Sequence, residues 1–238
     1  MRDLYHDELD QIGASLVAMT HLAGTAMQRA TEALLAGDLS GAERVVSDDT
    51  AIDALRADLE ARTFLLLSLQ QPVATDLRVL VTTLHLVADL ERMGDLALHV
   101  AKVARMRHPD IAVPTELRDV ISQMGAVALS LVDKVAEVIK GRDVQLAQAI
   151  EAEDDSMDGL HRKLFTQLLS DTWSHGIEAA IDMTLLGRYY ERYADHAVGV
   201  ARRIVFIATG AMPAGSAAAK QPPAGSPITP SAAGSSID

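Results

Sequence analysis

The stretch Ala88-Asp89-Leu90-Glu91-Arg92-Met93-Gly94-Asp95-Leu96-Ala97 has a second copy in Tyr189-Tyr190-Glu191-Arg192-Tyr193-Ala194-Asp195-His196-Ala197. Each copy holds Glu-Arg, two residues, then Asp. Residues four apart lie on one face of an α-helix, one above the other. Glu91 therefore stacks with Asp95, and Glu191 with Asp195. Like charges at this spacing destabilise an isolated helix by roughly 0.2–0.5 kcal/mol. Two such pairs in matching contexts point to something positive that sits on them.

Outward from these copies the chain reads as helices. Residues 4–35 place Leu9, Ile12, Leu16, Met19, Ala23, Ala26, Ala30 and Leu34 at alternating steps of three and four, a bundle-type apolar stripe. Gly37-Asp38 ends that helix, and Asp38 or Ser40 is suited to cap the next. A second helix is expected over 39–69, acidic in its middle. Pro72 fits the first turn of a third helix, which runs to Met106 and carries the first Glu-Arg motif. Pro114 opens a fourth helix that ends near Lys140. A fifth is expected over 144–170, and a sixth over 177–209 carries the second motif. No period-two stretch argues for a strand. Residues 213–238 are Pro, Ala, Gly and Ser with few large apolar side chains, the composition of a disordered tail.

The order long helix, acidic helix, Glu-Arg helix thus occurs twice. Asp143 follows Asp38 by 105 residues (143 − 38), and the same shift carries Asp49 onto Asp154, Ile52 onto Met157, Asp53 onto Asp158 and Leu59 onto Leu164. The motif itself repeats at 100 residues (191 − 91), so about five residues are lost before the last helix. The expected fold is all-α: two tandem repeated three-helix bundles, residues 1–108 and 114–212, followed by the tail.

The repeat duplicates a second acidic pair. Asp49 and Asp53 are four apart, as are Asp154 and Asp158. Each half then carries one Asp-x-x-x-Asp and one Glu-x-x-x-Asp on successive antiparallel helices. If those faces meet, four carboxylates converge on an oxygen-rich site suited to hard or borderline cations. Several carboxylates per site are compatible with a multinuclear cluster. A single acidic pair on a helix is usually a solvated face; two per half, repeated in place, argue for ligands. Arg92 and Arg192 are candidates to neutralise acids on neighbouring helices. His99 and His196, and after them His161, lie near enough to complete a metal shell, although the plain reading of each is a surface or core-edge histidine. At the place of His161 the first half has Arg56. Tyr189, Tyr190 and Tyr193 are read as packing residues with wet hydroxyls.

Composition narrows the function classes. The chain is 49% hydrophobic but 3% aromatic, and carries a formal net charge of −12. An acidic chain is a poor nucleic-acid binder, because phosphate contacts need clustered Lys and Arg. There is no Cys, which removes disulfides, thiolate catalysis and thiolate zinc sites. The polar start is unlike a signal peptide, and no apolar run approaches the ~20 residues of a membrane helix. A cytoplasmic protein is expected.

Asp49-x-x-x-Asp53, Gln71-Pro72-Val73-Ala74-x-Asp76-Leu77-Arg78 and the two Glu-Arg-x-x-Asp motifs together resemble the PhoU family, the accessory and regulatory proteins of phosphate-specific transport. The resemblance covers residues 1–212. It implies two three-helix repeats and metal ions (iron, zinc, manganese or magnesium, divalent or ferric, in clusters) held by Asp49, Asp53, Glu91 and Asp95 in the first half and Asp154, Asp158, Glu191 and Asp195 in the second. It further implies a homodimer without catalytic function. Its partners would be the transporter ATPase subunit and the sensor histidine kinase of the phosphate two-component system, which it holds inhibited when phosphate is plentiful. In place of Gln71-Pro72 the second half has Thr172-Trp173, so the halves need not bind one partner identically. Two other classes compete. A di-iron carboxylate enzyme on a helical bundle would use Glu-x-x-His, which the sequence lacks. A histidine phosphotransfer bundle would use His161 in His161-Arg162-Lys163, but it has no role for duplicated carboxylates.

Overall fold

The computed structural model describes residues 2–211, with side chains from Tyr5 onward; the expected tail lies outside the described residues. Helices follow in the order α1 (Arg2–Ala36), α2 (Leu39–Asp48), α3 (Thr50–Gln70), α4 (Ala74–Arg107), α5 (Arg118–Gly141), α6 (Val144–Leu168) and α7 (Gly176–Thr209). Among the described residues there is no strand. The expected fold stands: α1, α2–α3 and α4 form one three-helix unit, and α5, α6 and α7 the other.

The helix expected over 39–69 is interrupted at Asp49. Its carbonyl accepts from Ile52 N–H at 3.0 Å and from Asp53 N–H at 3.3 Å, so the chain tightens by one 3₁₀-type bond while Asp49 keeps helical dihedrals (φ −56°, ψ −32°). Pro72 does not enter a helix. Gln71 takes the left-handed conformation (φ 44°) and α4 begins at Ala74. Pro114 opens a single 3₁₀ turn, Thr115–Leu117, ahead of α5. Asp143 caps α6, its carboxylate accepting from Gln145 and Leu146 N–H at 2.8 and 3.1 Å. Asp38, its counterpart, makes no such bond; it lies 3.8 Å from Arg44 instead.

The stripe read from α1 is the core: Ile12, Leu16, Met19, Ala23, Ala30 and Leu34 are all buried, with Met27 between them. The repeat is equally visible in α4 and α7. Burial over 81–90 matches burial over 181–190 position by position. Where the halves meet, α4 runs antiparallel to α7. Arg78 stacks 5.7 Å from the Phe206 ring. Asp89 accepts from His196 and Arg203, His99 lies 5.2 Å from Tyr189, and Arg107 bonds buried Asp182 and Glu178. Alongside, α1 crosses α5 at glycines. A Cβ on Gly24 would meet Val132 at 2.7 Å, and one on Gly125 would meet Thr31 at 2.7 Å. Thr31 in turn hydrogen-bonds Tyr190 at 2.7 Å.

Tyr190 and Tyr193 are therefore not wet: both are fully buried, because the α4–α7 seam and α1 cover the face that carries them. Tyr193 hydroxyl has no partner. At the Gly125 crossing, Gly125→Val drives a branched side chain into Thr31. The expected loss is about 1–3 kcal/mol, read by chemical denaturation; an unchanged midpoint contradicts the close approach.

Candidate metal-binding grooves

The carboxylates of each half do face one another. In the first half Ile52, between Asp49 and Asp53 in sequence, is buried against Gly94, where a Cβ would meet Ile52 Cδ1 at 2.7 Å and Asp49 Oδ1 at 3.7 Å. Gly94 thus lets α3 approach α4, and the approach sets Asp49 and Asp53 opposite Glu91 and Asp95. Burial pushes the Asp49 carboxyl above its ordinary value, and Asp53 and Asp95 add to the rise. Burial does the same to Glu91, with Asp95 adding and Arg56 opposing. Arg56 Nη1 bonds Glu91 Oε1 at 2.8 Å while its Nε bonds Glu60 at 3.1 Å. Arg92 pairs with Asp95 on its own helix at 2.8 Å rather than with an acid across the groove.

The second half repeats the plan with Met157 buried in the place of Ile52. The Asp154 carboxyl is pushed up to about 6 by burial first, then by Asp195, Asp158, Asp155 and Glu191. Glu191 is paired by Arg188, three residues earlier on the same helix. His161 packs its ring edge-on to Phe165 at 4.9 Å and against Gly187. Its Nε2 is buried and has no hydrogen-bond partner, which suits poorly a phosphotransfer histidine that must enter a partner's active site.

The donor set is chemically fit for a cation: oxygen-rich, half-buried and mutually repelling. Among the described residues no three of these side chains stand close enough to share one ion, so binding requires carboxylate rotamers to turn inward. His99 and His196 serve elsewhere. His99 Nδ1 lies 2.6 Å from the Asp95 carbonyl. His196 reaches across to Asp89 at 3.1 Å. Burial works to raise Asp89, but hydrogen bonds from His196 and Arg203 outweigh it and hold the carboxyl low. This seam and the Arg107–Asp182 pair were missed in the sequence, where charged residues seven or more apart carry no mark of their partners.

The sign of the Asp154 shift gives a prediction. The folded carboxyl titrates near 6 and the ordinary value is 3.8, so between these the folded state holds more protons. Stability of the metal-free protein then falls as pH rises through that window. Asp154→Asn removes the penalty: at pH 7 the metal-free variant gains roughly 1 kcal/mol after allowance for solvent screening. The gain fades towards pH 4. Denaturant melts at the two pH values check it; a destabilised variant at pH 7 contradicts it.

Comparison with known proteins identifies the family of the fold. A family model described as "PhoU domain" matches residues 16–104 and 121–204. The "Phosphate-specific transport system accessory protein PhoU homolog 2" of Mycobacterium bovis is 53% identical over 213 residues, covering 90% of this chain and 100% of that protein. The PhoU homolog 1 of Mycobacterium leprae is 50% identical, covering 90% and 96%. In fold, the chain resembles the crystal structure of PhoU from Pseudomonas aeruginosa, with TM-score 0.77, 24% identity and coverage of 87% of this chain and 100% of that one. A phosphate transport system regulatory protein PhoU from Streptococcus pneumoniae gives TM-score 0.79, 24% identity and coverage of 88% and 99%. Duplicated helices, duplicated carboxylate pairs and two matched domains in register lead to one conclusion: the chain belongs to the PhoU family.

Proposed function

We propose that this chain is an accessory protein of a phosphate-specific transport system: a metal-binding adaptor that links the transporter ATPase to the phosphate sensor kinase and keeps the starvation response off when phosphate is plentiful. In this reading it works at the cytoplasmic face and performs no chemistry of its own. Among the described residues no helix is long and apolar enough to cross a membrane, so contact with a transporter would be peripheral.

One observation carries the adaptor reading. Each half exposes apolar side chains at the turn into its Glu-Arg helix. In the first half these include Val73 (76% exposed), Leu77 and Val81; in the second, Ile177 (81% exposed), Ile181 and Leu185. Leu77 and Val81 match Ile177 and Ile181 under the 100-residue shift. Trp173, Ile177, Ile181 and Leu185 line an open groove of about 590 Å³. Because α4 and α7 are antiparallel, the two tips lie at opposite ends of the molecule. Repeated exposed apolar surface is the feature expected of a protein that docks to others.

Asp49, Asp53, Glu91 and Asp95 would hold metal in one groove, and Asp154, Asp158, Glu191 and Asp195 in the other. A bound iron, zinc, manganese or magnesium ion would supply the positive charge that offsets carboxylate repulsion and would tie stability to metal occupancy. The chain's own residues would set the spacing of the helices that end in the two tips.

Co-purification with the transporter ATPase subunit tests the docking, and a phosphate-starvation reporter tests the role. Loss of the gene should raise reporter output in phosphate-rich medium, and the parent chain should restore repression. Leu77→Asp with Ile177→Asp should lose both ATPase capture and repression, since a charge on each apolar tip costs more than a docking surface of this size returns. Full capture and full repression by that variant contradict the proposal.

A further inference from the structure

We propose that the chain's own C-terminal segment, residues 212–238, folds back over the apolar tip of the first half, is anchored there by Arg78, and so controls whether that tip is free to dock. The control of docking rests on the adaptor reading above; the cover itself does not.

The described residues end beside that tip. Helix α7 closes on Gly210, which takes the left-handed conformation (φ 78°) and donates its N–H to the Phe206 carbonyl at 2.9 Å. Arg78, near the start of α4, lies against this cap. Its guanidinium carbon stands 5.7 Å from the Phe206 ring centroid, and a Cβ on Gly210 would meet its Nη1 at 2.6 Å. Arg78 directly follows Leu77. The chain therefore leaves the bundle next to the stripe Val73, Leu77 and Val81, with Phe64, Leu65 and Leu69 exposed on the adjoining end of α3. Pro222 is eleven residues past Ala211 (222 − 211), about 34 Å in a polyproline conformation. That reach spans the near tip. The Ile177 tip lies about 50 Å away, at the far end of α7. A tethered segment meets the near tip at the higher effective concentration.

Arg78 supplies the independent sign of an occupant. Its Nε is buried and has no hydrogen-bond partner, and among the described residues its guanidinium pairs with no carboxylate. At the other end of the seam Arg107 bonds Asp182 and Glu178; under the 100-residue shift Glu178 is the counterpart of Arg78, so this end carries a cation where the other carries an acid. A buried donor calls for an acceptor brought by protein. The segment beyond Ala211 has such acceptors. Proline-rich backbone in the polyproline conformation makes no internal hydrogen bonds, so its carbonyls are free. Pro213, Pro222-Pro223 and Pro227-Ile228-Thr229-Pro230 combine that backbone with apolar rings, and segments of this kind dock on exposed aromatic surface. Phe64 offers such a surface at this tip. Charge does not oppose the contact: in a chain of net charge −12, residues 212–238 carry only Lys220 and Asp238. A segment too poor in apolar residues to fold alone can still order on a surface already built.

The chain has no Cys, so an introduced thiol reports how far its own site is covered. Val73→Cys and Ile177→Cys place one thiol on each tip, both at highly exposed positions. Each is made in the full chain, once with its own C-terminal segment and once with residues 213–230 replaced by a Gly-Ser sequence of equal length, which keeps the tether and removes the prolines. Cooperative melting checks that every variant folds. Maleimide should label Val73→Cys severalfold more slowly with the native segment than with the Gly-Ser one, and Ile177→Cys alike with both. Arg78→Ala should release the protection of Val73→Cys. Equal labelling of Val73→Cys with the two segments, or undiminished protection in Arg78→Ala, would overturn the anchored cover. Protection that grows with protein concentration would overturn it as well, in favour of a second copy on the tip. Capture of the transporter ATPase subunit should rise severalfold with the Gly-Ser segment; protection without that rise would uphold the cover and overturn its control of docking.

Discussion

The grooves exist because apolar packing forces carboxylates together against their repulsion. Ile52 and Met157 are buried between the acids of their own helices, and burying each contributes roughly 1.5–3 kcal/mol. Leu90 and Met93 bracket Glu91 in the same way, as Tyr190 and Tyr193 bracket Glu191. An exposed like-charge pair costs only a few tenths of a kcal/mol. Packing wins, and its register leaves the acids facing one another at the rim. Burial first, with the repulsion added to it, holds Asp154, Asp49 and Glu91 above their ordinary values, and arginine answers these acids in one half while leaving them largely open in the other.

Joining the halves is a separate problem with a separate solution. Along α4 and α7 the halves are joined by charged pairs and ring contacts. Asp89 with His196 and Arg203 marks the middle, and Arg107 with Asp182 marks one end. These pairs specify register, because a slip of one turn would leave Asp182 buried without its arginine. The glycine crossings of α1 on α5 bring the long helices close enough for Thr31 to reach Tyr190. With the halves fixed in this way, the two exposed tips are held at opposite ends of one body.

Much of this was legible in the sequence because the signals were periodic and duplicated. The α1 stripe, the 105- and 100-residue shifts and the paired acids each repeat, and repetition separates pattern from accident. The break at Asp49 was not legible, since its dihedrals stay helical and only one hydrogen bond changes partner. Pro72 misled because proline is tolerated both in a first turn and just before one. The tyrosines of the second motif read as wet because nothing local marks a neighbouring helix that covers them. Arg56 was visible only as the residue opposite His161; its reach to Glu91 depends on the distance between α3 and α4, which no spacing along the chain encodes.

The central claim is that the duplicated carboxylates hold metal. Elemental analysis of the untagged full chain, beside a Glu91→Ala/Glu191→Ala variant purified in parallel, tests it most directly. Iron, zinc or manganese bound to the parent and reduced or lost in the variant is the predicted result. Equal metal in both, or none in the parent, would contradict it and leave the grooves as acidic docking surfaces.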